Sequence, residues 1–108
     1  MTTPLTINSD ESRDGATTIV AIGEIDLSNA DVFARAVSDA IAASNGETVT
    51  VDLRAVDYID SGGINVLFKS ADHIRLIVRP LLMPVLTISG LTELAPVEAA
   101  SVEPQESG

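Results

Sequence analysis

Runs of β-branched and aliphatic residues alternate along this chain with stretches whose apolar positions recur every three or four residues, the pattern of strands separated by helices. Leu5-Thr6-Ile7 alternates weakly, as an edge strand does, and the polar stretch from Asn8 to Ala16 predicts a loop with Gly15 as its turn. Thr17 to Ile22 is rich in β-branched residues and predicts a strand ending at Gly23, after which Glu24-Ile25-Asp26-Leu27 leaves the sheet. Ser28, with Asp31 three positions on, resembles a capping box. Phe33, Ala36, Val37, Ala40 and Ile41 then share the inner face of a helix, with Asp31, Arg35 and Asp39 outward and Asn45-Gly46 as the stop.

Thr48 to Leu53 predicts a second strong strand, and a helix between two such strands implies a right-handed parallel crossover. After a loop over Arg54 to Asp60, Ser61-Gly62-Gly63 leads into a helix whose inner face is Ile64, Leu67, Phe68 and Ala71, ending near Asp72. His73 to Val78 reads as the next strand, and Leu82 to Ile88 as a short helix with Pro84 in its first turn and Ser89-Gly90 at its end. Leu94 to Val97 is a candidate last strand. The expected architecture is one α/β domain over residues 1–97, a mixed sheet of four or five strands with helices packed on one face. Residues 98–108 are acidic, small and Pro-containing, the composition of a disordered tail.

Composition narrows the function classes. Aromatic residues are only 3% of a chain that is 45% hydrophobic, so its core must be aliphatic. Six basic against sixteen acidic residues give a net charge of −10, which argues against nucleic acid and anionic membranes and for a partner with a basic contact surface. Without Cys, and with His73 alone, neither a thiol nucleophile nor a two-histidine metal motif can form. The first residues lack the basic and apolar stretches of a secretory signal, which makes the cytoplasm the expected location. The longest apolar stretch, Leu76 to Ile88, is broken by Arg79, Pro80 and Pro84 and falls short of the ~20 residues that span a bilayer.

The candidate chemistry lies at Asp57-Tyr58-Ile59-Asp60-Ser61-Gly62-Gly63, a strand-to-helix connection with a hydroxyl beside two glycines. Ser61 is a candidate N-cap. A phosphate there would meet the unpaired N–H groups and positive potential of a helix start, and Gly62 and Gly63 would let a modifying enzyme approach closely. Asp57 and Asp60 already make this surface acidic, so a phosphate, adding about −1.5 to −2 charges, would disrupt a docked complex. The same residues also read simply as a turn plus a cap. A second acidic cluster, Gly23-Glu24-Ile25-Asp26, ends a neighbouring strand. It reads either as a rim around the phosphoacceptor, helping to place a hydroxyl or a magnesium ion carried by the modifying enzyme, or as a loop whose Asp26 starts the first helix. Ser61 has no general base nearby in sequence except His73, and no phosphate-binding glycine loop is present, so neither hydrolysis nor nucleotide binding is expected of this chain.

Gly23-Glu24-Ile25-Asp26, the strand Val49-Thr50-Val51-Asp52-Leu53 and Tyr58-Ile59-Asp60-Ser61-Gly62-Gly63 together resemble the STAS domain, and more narrowly the bacterial anti-sigma factor antagonists. The likeness returns at Val85-Leu86-Thr87-Ile88-Ser89-Gly90-Leu91. The resemblance implies that Ser61 is the residue phosphorylated by an anti-sigma factor that is itself a serine kinase, with Asp60 and Asp26 as acidic neighbours. It implies a non-enzymatic partner switch without a cofactor of its own. The unphosphorylated form binds the anti-sigma factor and frees the sigma factor, phosphorylation releases it, and a PP2C-type phosphatase resets it. Two departures stand out: Gly62 replaces a second serine common in the motif, and the helix after Ser61 is shorter than usual. A second implied role is that of a STAS accessory module in a transporter or lipid-transfer complex, with Ser61 only a cap.

Overall fold

The computed structural model describes residues 4–11 and 17–100. Its elements are β1 (Thr6–Glu11), β2 (Thr17–Ile25), α1 (Ala30–Ala43), β3 (Val49–Ile59), α2 (Ser61–Lys69), β4 (Ile74–Val78), α3 (Met83–Ser89) and β5 (Val97–Ala99), with single 3-10 turns at Ala71–His73, Pro80–Leu82 and Leu91–Glu93. The strands form one five-stranded sheet in the order β1-β2-β3-β4-β5. β1 is antiparallel to β2, and the remaining neighbours are parallel. This is the expected α/β architecture, with three helices covering one face of a mixed sheet.

The burial pattern follows from that layering. Ile19, Ala21 and Ile25 of β2, Val49, Val51 and Leu53 of β3, and Ile74, Leu76 and Val78 of β4 point into the core. There they meet Phe33, Val37 and Ala40 of α1, Ile64 and Leu67 of α2, and Leu86 of α3. Removing such aliphatic side chains from water stabilises by roughly 1.5–3 kcal/mol each, so an aromatic-poor sequence still closes a core. The opposite face of the sheet is half-open. On it Asp52, 6% exposed, is held by Arg54 through Nη2 at 2.7 Å and Nε at 3.0 Å. That guanidinium holds the Asp52 carboxyl below its ordinary pKa.

Several boundaries differ from the pattern-based expectation, each for a reason that lies outside the local sequence. Asn8 to Glu11 continues β1, because Ser9 to Glu11 pair with Thr17 to Ile19; Gly15, the expected turn, lies outside the described residues. β2 continues through Ile25 and β3 through Ile59, where a loop over Arg54 to Asp60 was expected. β3 carries one extra residue against β2 between the Val20–Asp52 and Ile22–Ala55 pairs, and another at Asp57 between the Gly23–Val56 and Glu24–Tyr58 pairs. These two β-bulges move the core positions to Val56 and Ile59, a spacing of three that hides strand periodicity. Helix α1 begins at Ala30 with Asn29 in the N-cap position, not at Ser28. The last strand is Val97–Ala99, later than Leu94 to Val97, and takes in Glu98 and Ala99 from the expected tail. Arg75 binds Glu98 at 3.0 Å across it. Residues 101–108 of that tail lie outside the described residues.

Candidate functional site

The parallel pairing of β2 and β3 brings their C-terminal ends side by side, so the loop to α1 and the start of α2 meet at that end of the sheet. Asp60 ties them together. Its backbone N–H donates to the Ile25 carbonyl at 3.1 Å. Its carboxylate accepts from the Gly62 N–H at 2.8 Å and from the Leu27 N–H at 3.2 Å. Asp60 has extended φ and ψ and is the N-cap of α2, so Ser61 is the first helical residue and not the cap expected of it. Capping by Asp60 leaves the Ser61 hydroxyl without that structural task, and Ser61 is exposed.

Asp26 organises the facing loop. Its carboxylate accepts from both the N–H and the hydroxyl of Ser28, and its carbonyl accepts from the Asn29 N–H at 3.1 Å. The Asn29 side chain closes the turn, accepting from the Asp26 N–H at 2.9 Å and donating to the Glu24 carbonyl at 2.9 Å. The Ser28 hydroxyl bond holds the Asp26 carboxyl below its ordinary pKa, so it is ionised at neutral pH. Asp26 thus orders the turn that leads to Asn29, the N-cap position of α1, and the loop that carries it meets the Asp60–Ser61 corner through the Ile25 carbonyl and the Leu27 N–H.

The glycines serve packing before they serve any visitor. A Cβ on Gly63 would lie 2.6 Å from Ile25 Cγ2 and 2.7 Å from Ile59 Cγ1, and Gly63 is itself buried. A Cβ on Gly62 would lie 2.7 Å from Leu27 Cδ2 and 3.3 Å from Leu27 Cα. Their missing side chains therefore let α2 seat against the ends of β2 and β3. The expectation that free backbone donors would cradle a phosphate also changes, since the Gly62 N–H is committed to the Asp60 carboxylate and the Ile64 N–H to the Asp60 carbonyl.

Asp57 stands apart from this cluster. As the extra residue of the second bulge it reaches Arg79, just after β4, with Oδ1 2.6 Å from Nη1. His73 is exposed in the 3-10 turn after α2. Pattern reading overlooked Leu27, 73% exposed beside Ser61 with its N–H on Asp60, and Asn29; only an apolar residue following an acidic loop signalled the first. Among the described residues no group of His, Asp and Glu is arranged to hold a metal, and no helix is long and apolar enough to cross a membrane.

A cleft of about 320 Å³ opens directly beside this corner, between α1 and α2. Leu27 and Gly62 lie at one end, Ser38 and Lys69 at the other, and Ala30 and Ala34 line its α1 side.

Comparison with known proteins places this geometry. No curated protein sequence matches the chain. Among solved structures, an anti-sigma factor antagonist from Mycobacterium paratuberculosis superposes with a TM-score of 0.79 at 21% identity, covering 90% of this chain and 87% of that one. SpoIIAA in its unphosphorylated form gives 0.71 at 18% identity, covering 91% and 90%. The Bacillus cell fate determinant SpoIIAA in the phosphorylated form gives 0.65 at 18%, covering 91% and 94%. At these identities the likeness shows a shared fold. The STAS domain model matches residues 9–91, from β1 through the turn after α3. A match over that span, on a fold shared along nearly the whole chain, makes this protein a member of the STAS domain family.

Proposed function

We propose that this chain is an anti-sigma factor antagonist, a non-enzymatic protein of the cytoplasm that binds a serine-kinase anti-sigma factor until Ser61 is phosphorylated. The observation that carries the reading is the division of labour at the start of α2: Asp60 caps the helix, and Ser61, exposed at the next position, is left with a free task. In the accessory-module reading Ser61 carries no switch, and the helix start it sits on is capped by Asp60 in either case. Solved antagonists of the same fold, one of them phosphorylated, support the class.

The chemistry asked of this chain is small. Its Ser61 oxygen forms the new bond to the γ-phosphorus of ATP held by the kinase, the bond to ADP breaks, and the hydroxyl proton passes to a base of the kinase. The exposed helix start presents the oxygen, and the Asp60 bonds hold that start against the Asp26 loop. Once formed, the phosphoserine adds about −1.5 to −2 charges. These face Asp60 and Asp26 on one side and the anionic nucleotide of the kinase on the other, so the complex separates. A PP2C-type phosphatase resets the serine.

The test is direct. The purified chain is incubated with serine-kinase anti-sigma factors of the same genome and ATP, and phosphate is mapped by mass spectrometry. Phosphate on Ser61, tight binding by Ser61→Ala and lost binding by Ser61→Glu are expected. Absence of phosphate on Ser61 together with equal binding by both variants would overturn the proposal.

A further inference from the structure

We propose that the cleft between α1 and α2 is the surface that selects the partner, and that it takes one amphipathic helix of the anti-sigma factor, with an apolar anchor and a basic residue facing Asp31. The inference rests on the antagonist reading and adds to it which shape of partner segment docks, and where.

The cleft is continuous with the phosphorylation corner, sharing Leu27 and Gly62 with it, and extends to Ser38 and Lys69. At about 1.5 Å per residue the eight steps from Ala30 to Ser38 span about 12 Å, some two turns of a docked helix. It exists because the two helices start at neighbouring strand ends and run side by side with small residues between them. Ala30 and Ala34 on α1 leave room that larger side chains would fill, while Leu27 already covers Gly62 at the cleft's mouth. Leu27 at its mouth packs one methyl over Gly62 and leaves most of its apolar surface to solvent.

A helix fits this cleft better than an extended peptide. The walls are themselves helices, whose backbone groups bond internally, so an extended strand would find no ladder to join. A helix brings its own backbone bonds satisfied and offers an apolar stripe. Charge sets its direction: Asp31 lies in the first turn of α1, near the Ser61 end, while Lys69 lies in the last turn of α2 at the other. A partner helix basic near Asp31 and acidic or neutral near Lys69 is favoured in one orientation and repelled in the reverse. The net charge of −10 gives the same preference at longer range.

The experiment measures affinity by calorimetry between the full chain and a purified serine-kinase anti-sigma factor of the same genome, loaded with a non-hydrolysable ATP analogue. Ala34→Leu fills the cleft and Ser38→Arg blocks its exposed far end; each is expected to weaken binding about tenfold or more. Asp31→Lys is expected to weaken binding and to reduce its salt dependence. Ile88→Ser, on the exposed side of α3, is the control and leaves the dissociation constant unchanged. Melting curves confirm folding, and Ser38→Arg, at an exposed position, carries the test if Ala34→Leu is poorly folded. Wild-type affinity in both cleft variants, with binding still lost in Ser61→Glu, would overturn the cleft and leave the switch standing. No binding by the wild-type chain to any such kinase would overturn the antagonist reading and this inference with it.

Discussion

Replacing Gly63 by Ala sets two effects of opposite sign against each other. Gly63 is the third residue of α2 and its φ is not positive, so Ala gains helix propensity there, worth about 1 kcal/mol. Against that, the new methyl would lie 2.6 Å from Ile25 Cγ2, 2.7 Å from Ile59 Cγ1 and 3.0 Å from Ile59 Cδ1. Ordinary carbon contacts lie at about 3.5–4.0 Å, so the neighbours must retreat by close to 1 Å. Neither can do so freely, because Ile25 is fully buried, Ile59 is 5% exposed, and both are stiff β-branched residues at the ends of paired strands. Overpacking of this kind costs about 1–3 kcal/mol, and three simultaneous contacts place it at the upper end. The net expectation is a loss of about 2 kcal/mol, or about 8 °C in melting temperature for a domain of this size. Gly62→Ala is the internal comparison. Its methyl meets the tip of the exposed Leu27 at 2.7 Å, which can swing into solvent, and Asp60 Oδ1 and Leu27 Cα at 3.2 and 3.3 Å, which have only to give slightly, so the helix gain offsets the contacts and stability stays within about 0.5 kcal/mol of wild type. Far-UV circular dichroism during thermal and urea denaturation reads both. A Gly63→Ala chain as stable as wild type, or equal losses at the two positions, would refute the argument that α2 is seated by close approach at Gly63.

Asp60→Ala removes the cap of α2 and the tie to Leu27 and is expected to cost about 1–2 kcal/mol in urea denaturation, while Asp60→Asn, which can still accept from Gly62, recovers most of it. Acid titration should expose Asp26 and Asp52: both carboxyls have folded pKa values below their unfolded ones, so their contribution is fully present above about pH 4 and is lost as pH falls through the lower folded values. A flatter acid limb in Asp26→Asn and Asp52→Asn, measured by denaturation between pH 2 and 5, checks the sign, which a steeper limb would reverse. Gly90→Ala costs about 1 kcal/mol from backbone conformation alone, because φ is +90° at the end of α3 and a Cβ there would meet nothing within 4 Å.

The layered fold and the neighbourhood of its site are legible in the order of residues. Burial on one face leaves a period in the residues that face it, so β2 from Thr17, the Phe33–Val37–Ala40 face of α1, the Ile64–Leu67 face of α2 and the Pro84–Gly90 limits of α3 could be read from spacing alone. The sequence also placed Asp60, Ser61, Gly62 and Gly63 at a strand-to-helix junction, and the order of elements implied that Asp26 would come near it. What each of these residues does there follows from contacts between distant parts of the chain. Capping depends on which residue holds extended φ and ψ next to the first turn, and pairing with β2 carries β3 to Ile59, which gives that role to Asp60 and leaves Ser61 exposed. The same pairing, through two bulges, turns Asp57 toward Arg79. The glycines that a sequence reader sees as room for a visiting enzyme are filled from within, by Ile25, Ile59 and Leu27. Pairing and close approach join residues distant along the chain, and local spacing carries no record of them.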